Sequence, residues 1–349
     1  MLKQKALFFL FFLAYSSAFA QDPQLSQYYN SPLTLNPALA GTGIDTRVGV
    51  NYRLQWPSLG DPYSTFSAWA DHDFAKAKSG LGLLIGRDVQ GASKLSSTQV
   101  SVLYSYQVNL SRKWGFRPGI QAGFGERSVD YSKAIFGDQL NNNGLTGAGT
   151  TDNIVGQSQT FFYPDISAGG ILYNQNLWIG LSANHLNTPN QAFSGGVESP
   201  LPMKFSIQGG YKILLMERDV AWGAPTKETS ITPTFIYNTQ GGSAQMDAGL
   251  YFTHDPIMIG AWYRGIPFKQ YQSGIQNNES IILMAGFYHN GFSFGYSYDI
   301  NISKLAGLSG GAHEISLIYQ WQTDKKIKRK QTGPGPIPCP NFRKRFKKV

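Results

Sequence analysis

The sequence predicts an all-β fold: a transmembrane antiparallel β-barrel of about fourteen strands, with an irregular N-terminal segment and a Pro-rich basic C-terminal tail. Three observations carry this expectation. Charged residues make up only 15% of the chain, while aromatics reach 14% and glycine is abundant at 39 residues. A soluble domain carries about a quarter charged residues. From Thr46 onward the chain alternates apolar and polar side chains with period two. The lengths of the connections sort mostly by parity, short on one side and long on the other.

The elements follow in order. Residues 1–20 read as a secretory signal peptide, with Lys3 and Lys5 ahead of the apolar run Ala6–Ala14 and an Ala18-Phe19-Ala20 cleavage site. That run is too short to span a bilayer as a helix, which needs roughly 20 apolar residues. Position 21 is not cysteine, so no lipid anchor is expected there.

Residues 21–45 form the N-terminal segment, "QDPQLSQYYNSPLTLNPALAGTG" and the two residues after it. Pro32 and Pro37 forbid continuous pairing and hold the residues before them extended. Gly41 and Gly43 permit a sharp turn into the barrel. Unpaired backbone cannot face lipid. The segment is therefore expected in the lumen or across the periplasmic mouth, with Tyr28, Tyr29 and Leu35 as packing anchors and Asn36, Pro37 and Gly41 shaping its path.

Residues 46–322 form the barrel. In the first strand Val48, Val50, Tyr52, Leu54 and Trp56 share the lipid face, and Arg47, Asn51, Arg53 and Gln55 the lumen face. Residues 100–108, 114–124 and 313–321 repeat the pattern. The strands are expected near 46–56, 63–73, 80–89, 95–108, 113–127, 160–173, 176–187, 202–214, 229–238, 244–253, 257–265, 279–289, 292–301 and 311–322. An even strand number suits an outer-membrane barrel with both chain ends periplasmic. Tight periplasmic turns are expected at 109–112, 174–175, 254–256 and 289–291, the last carrying the hairpin pair Asn290-Gly291. Long outer loops are expected at 128–159, 188–201, 266–278 and 302–310, and 215–228 is a long exception on the periplasmic side. Trp56, Trp114, Trp178 and Trp321 are expected in the interfacial aromatic girdles.

Residues 323–349 form the tail. Lys325, Lys326, Lys328, Arg329 and Lys330 precede a proline-alternating spacer, and Arg343, Lys344, Arg345, Lys347 and Lys348 follow it. These ten cations meet no acidic residue after 324, so the formal +9 of the whole chain resides almost entirely here. The spacer favours an extended polyproline-like conformation. Lys325, Lys326, Lys328, Arg329, Arg343, Lys344 and Arg345 are candidate contacts to an acidic periplasmic partner or an anionic lipid surface. A solvated tail without a partner is the plainer reading of the same charges. Cys339 is the single cysteine, so no internal disulfide forms.

No catalytic, cofactor or metal constellation is expected. Asp71-His72-Asp73 alternates on its strand, so the histidine points away from both carboxylates. Gly307-Leu308-Ser309-Gly310-Gly311 has G-x-S-x-G spacing but lies in a hairpin loop, whereas a nucleophile elbow joins a strand to a helix. The chain is thus expected to be neither an enzyme nor a nucleic-acid binder.

Several ordered stretches together resemble the PorP/SprF proteins of Bacteroidota. They are Gln27-Tyr28, Asn30 and Asn36-Pro37-Ala38-Leu39-Ala40-Gly41; Tyr52-Arg53-Leu54-Gln55-Trp56-Pro57 with Pro62-Tyr63-Ser64-Thr65; Phe162-Tyr163-Pro164-Asp165-Ile166-Ser167-Ala168-Gly169; Gly180-Leu181-Ser182-Ala183-Asn184-His185-Leu186; and His313-Glu314-Ile315-Ser316-Leu317. The resemblance implies an outer-membrane component of the type IX secretion system. It would bind, help export or anchor a surface adhesin carrying a C-terminal secretion domain, in secretion or gliding motility. The partners it implies are that cargo and other components of the system. The alternative is a passive porin or small-molecule channel. An apolar channel is disfavoured because Arg47, Arg53, Gln99, Arg117 and Gln121 face inward.

Overall fold

The structure is a computed structural model. It describes residues 22–43, 45–91, 94–131, 135–141, 144–147, 149–151, 158–193, 198–218, 227–272, 275–321 and 334–340. The expected signal peptide lies outside these residues.

The chain folds as a closed antiparallel barrel of 14 strands. They are β1 (Thr46–Gln55), β2 (Tyr63–Phe74), β3 (Ser79–Gln90), β4 (Leu95–Tyr106), β5 (Gly115–Asp130), β6 (Ser158–Tyr173), β7 (Leu177–Asn184), β8 (Lys204–Tyr211, continued by Ile213–Arg218), β9 (Lys227–Gln240), β10 (Ser243–His254), β11 (Ile257–Gln272), β12 (Ile275–His289), β13 (Phe292–Asn301) and β14 (Ala312–Gln320). Each strand pairs with the next. The seam closes where β1 pairs with β14, from Arg47 opposite Gln320 to Gln55 opposite Ala312. Closure removes the free sheet edges that an open sheet would leave.

Period-two alternation positions every wall side chain. On β1, Val50 and Tyr52 are exposed, while Arg47, Asn51 and Arg53 are buried in the lumen. On β4, Val100, Val102, Tyr104 and Tyr106 face outward, and Ser101 and Ser105 inward. Such a continuous exposed apolar band is the lipid-facing belt of a barrel.

Two expectations need correction. Trp178 is not a girdle residue: it is fully buried in the lumen. On β7 the outward positions are Ile179 and Leu181, so alternation turns Trp178 inward. Residues 266–278 are not a long loop either. Strands β11 and β12 extend through them with register shifts at Gly265 and beyond, leaving only 273–274 between the strands. Consecutive polar residues in the sequence, such as Gln276-Asn277-Asn278, mimic loop composition while the ladder continues.

The connections 56–62, 131–157, 185–203 and 302–311 share one end of the barrel, the loop end. The turns 75–78, 174–176, 255–256 and 290–291 share the other, the turn end.

Candidate functional site

The lumen is filled by the chain's own N-terminal segment. Between Leu25 and Gly43 nearly every residue is buried. The segment is short helical turns rather than strand: Tyr28–Asn30, Pro32–Leu35 and Pro37–Leu39. Pro32 and Pro37 each open a turn, where their missing N–H costs nothing. The Asn36 side chain caps the third turn by accepting from the Ala38 N–H at 2.9 Å. Gly41 has a positive φ of 63°, a backbone region open to glycine.

Its path runs the length of the barrel. The Asp22 N–H donates to Gln240 Oε1 at 2.9 Å, at the loop end of β9. Gly41, at the other extreme, abuts Gly80 and His72 at the turn end. The tail returns there too. Pro334 lies against Gly115, the first residue of β5. Asp22 and Pro334 therefore lie at opposite ends of the barrel, which differs from the expectation of one shared side. The reason is that the leading segment threads the lumen lengthwise.

Three kinds of contact hold the segment. The first is a buried charge network around Ser26. Asp299 Oδ2 accepts from Arg53 Nη2 at 2.8 Å and Arg264 Nη1 at 3.0 Å. Arg264 Nε also bonds Asp247 Oδ1 at 2.7 Å. Ser26 Oγ donates to Asp299 Oδ2 at 2.7 Å and accepts from Arg53 Nη1 at 2.7 Å. The backbone N–H groups of Ser26 and Gln27 donate to the Glu314 carboxylate at 2.6 and 3.2 Å. Charges this deep persist only when paired and hydrogen-bonded. The plug backbone supplies part of that pairing.

The second contact is backbone capture at the turn end. Arg47 clamps Asp71, and Asp71 Oδ2 accepts the Gly41 N–H at 2.7 Å. Arg117 Nη2 donates to the Ala40 carbonyl at 2.8 Å, and Ser105 Oγ donates to the same oxygen at 2.7 Å. Inward glycines let the plug backbone touch the wall. A Cβ at Gly119 would sit 2.4 Å from the Ala38 nitrogen, and one at Gly169 2.2 Å from Asn36 Oδ1.

The third is an aromatic floor. Tyr29 meets Trp178 and Tyr251 edge-on, with ring centroids 5.9 and 6.0 Å apart. Tyr28 packs on Trp262 at 5.5 Å. Ile337 and Cys339 of the tail join this cluster.

Above the plug, at the loop end, lies a cavity of about 220 Å³ bordered by Asp22, Leu33, Leu35, Arg127, His185 and Lys204. His185 bridges two carboxylates: Nδ1 to Asp165 Oδ1 and Nε2 to Asp22 Oδ2, each 2.9 Å. Lys204 Nζ stands 3.4 Å from the same Asp22 oxygen. Burial opposes the charged His185 ring, but the bonds to Asp165 and Asp22 outweigh it and raise its pKa to about 9. Burial likewise opposes the Asp22 charge, and Lys204 with His185 outweighs it, holding that carboxyl well below its usual range.

Of the residues expected from sequence to shape the plug, Tyr28, Tyr29, Asn36, Pro37 and Gly41 are all buried in the lumen. The basic residues Lys325, Lys326, Lys328, Arg329, Arg343, Lys344 and Arg345 lie outside the described residues. Ser26, Arg264 and Asp299 escaped the sequence reading, and Gln27 and Glu314 entered it only within the stretches that carry the family resemblance. The signal for Arg264, Asp299 and Glu314 was inward charges of both signs on strands far apart. Among the described residues no group of His, Cys, Asp or Glu is arranged to hold a metal. In the Asp71-His72-Asp73 stretch, Asp71 is clamped by Arg47, and His72 Nδ1 pairs with Thr46 Oγ1 at 2.7 Å. Ser309 is bound by Asn301 Nδ2 at 2.6 Å inside its loop.

The family model for the type IX secretion system membrane protein PorP/SprF matches residues 17–319. The chain belongs to the PorP/SprF family. This PorP/SprF protein is accordingly an outer-membrane β-barrel of type IX secretion. No curated protein matches it in sequence. Among solved structures it is similar to the Ralstonia pickettii toluene transporter TbuX, at 11% identity and TM-score 0.46, covering 84% of this chain and 94% of that one. It is also similar to Omp33 of Acinetobacter baumannii, at 7% identity and TM-score 0.42, covering 80% of this chain and 100% of that one.

Proposed function

We propose that this barrel is a protein-interaction component of type IX secretion that binds, helps export or anchors a surface adhesin with a C-terminal secretion domain. It acts without catalysis, in secretion or gliding motility. The loop end faces outward and presents the cavity and loops to cargo. The turn end faces the periplasm, where the basic tail docks an acidic partner or an anionic lipid surface.

One observation carries this reading against a passive porin: the lumen is occupied by residues 22–43, bonded to the wall through Asp299, Glu314, Asp71 and Arg117. A porin keeps a water-filled lumen. With its core filled by polar bonds to its own chain, the barrel offers a surface rather than a pore. The Ser26 network and the Trp178 cluster serve to hold that plug and need no substrate.

Two measurements decide. The purified barrel in a planar bilayer should carry no steady conductance, and affinity capture in mild detergent should retrieve a large surface protein. A large, steady open conductance with nothing retrieved would establish the porin instead. Deleting 325–349 should abolish capture of periplasmic partners while the barrel still inserts. Retained capture would remove the tail's docking role.

A further inference from the structure

The turn end of the lumen holds a feature that the proposed role does not use. Pro334, Ile337, Pro338, Cys339 and Pro340 are buried, although they lie beyond the last strand. Ile337 and Cys339 are only 6% and 7% exposed. The buried cluster to which both belong also contains Tyr29, Tyr173, Trp178, Tyr251 and Met258. Gly335, with a φ of 81°, supplies the left-handed turn that admits the segment. A wall containing aromatic rings that receives a Pro-x-Pro chain shares its chemistry with proline-rich peptide recognition.

The segment's chemistry also limits how it can be held. Four of its seven residues are proline, leaving only Gly335, Ile337 and Cys339 with a backbone N–H. It extends no strand of the barrel and adds none of its own. A segment held by packing and a few polar contacts, without a strand ladder, opens at lower cost than the paired wall.

We propose that this aromatic pocket is a binding site for a proline-rich peptide, that Pro334–Pro340 is its ligand in cis, and that the ligand is exchangeable. In place, the segment closes the turn end directly beneath Tyr29 of the plug. Displaced, it exposes the pocket and the underside of the plug together.

Cys339 provides the probe, because it is the single cysteine of the chain. The full-length barrel in detergent is treated with a maleimide, and the thiol reaction is timed. The thiol should react at least about tenfold slower than in a free peptide of residues 331–341, since modification must await opening. Adding a synthetic peptide of residues 333–340 carrying C339S should raise the rate in a saturable way. The same peptide with its prolines replaced by alanine should not. In the full chain, Ile337→Asp should bring the rate to that of free peptide while heat-modifiable migration still reports a folded barrel. The peptide arm requires no variant, so a misfolded Ile337→Asp protein leaves the test intact. A wild-type thiol reacting at the free-peptide rate shows that the segment is not seated and overturns the site. A protected thiol indifferent to added peptide shows a permanent core element and overturns the exchange.

Discussion

The backbone N–H of Ser26 donates to Glu314 Oε2 at 2.6 Å across a sequence separation of 288 residues. This bond joins the segment before the first strand to the last strand of the barrel. Beside it, Asp299 receives Arg53, Arg264 and the Ser26 hydroxyl. Plug and wall therefore share one hydrogen-bond network, in which the wall supplies the charges.

Asp299→Ala should release the plug. It strips two buried guanidinium groups of a shared partner, and breaking one side of a buried pair costs about 3–5 kcal/mol. The expected result is steady conductance in a planar bilayer where the parent is silent, together with a lower temperature of gel-shift unfolding. An unchanged, silent bilayer would show that the network is not what retains the plug.

Gly119→Ala should act on the same equilibrium by sterics alone. The new Cβ would lie 2.4 Å from the Ala38 nitrogen, and backbone cannot step aside as a flexible side chain can. Overpacking of this kind costs about 1–3 kcal/mol. Gly86→Ala is the matched control on another strand, because a Cβ there would meet nothing within 4 Å. Protease cleavage within residues 22–43 should rise for the first variant and stay at the parental level for the second.

The loop-end anchor of the plug should loosen in alkali. The folded pKa of His185, about 9, lies above its ordinary value of 6.5. A raised pKa contributes stability that is full below about 6.5 and is lost as pH rises through about 9. The Asp22 carboxyl is shifted the other way, so its contribution holds above the ordinary carboxylate range and fails only in strong acid. Proteolysis near Asp22 should therefore stay slow around neutrality and accelerate between about pH 7 and 9.5. His185→Ala should flatten the profile at the faster level. A flat profile in the parent protein would remove His185 from the anchor.

Trp178→Ala should destabilise the turn end by about 3–5 kcal/mol, as expected for a buried tryptophan. It should also loosen the edge contact with Tyr29. A truly interfacial tryptophan would cost far less. A melting comparison with Trp321→Ala, whose parent side chain is 46% exposed, separates the two.

The barrel was legible because lipid and lumen impose period two on every strand. Val50 beside Asn51 is enough to orient β1, and Asn290-Gly291 marks a turn without any tertiary context. Trp178 was misplaced because a tryptophan near a strand end suits either an interface or a packed lumen, and only its register against Ile179 separates them. The Ser26 network was hidden for a different reason. Arg264, Asp299 and Glu314 sit on strands β11, β13 and β14, and spacing along the chain does not encode contacts across a lumen. The seated tail was hidden because a proline-rich run has no periodicity to read. Its pocket is built from residues more than 60 positions away.

The seam between β1 and β14 carries a consequence for assembly. Arg53 meets Glu314 there, on the strand that also receives Ser26 and Gln27. The last strand to be synthesised thus completes both the cylinder and the seat of Ser26 and Gln27. A chain that zips this seam while empty would wall in Arg53 without its Ser26 hydroxyl acceptor and Glu314 without its backbone donors. Closing the barrel around residues 22–43 is therefore the less costly order, and a mutant lacking them should yield less heat-modifiable folded barrel, not only a leaky one.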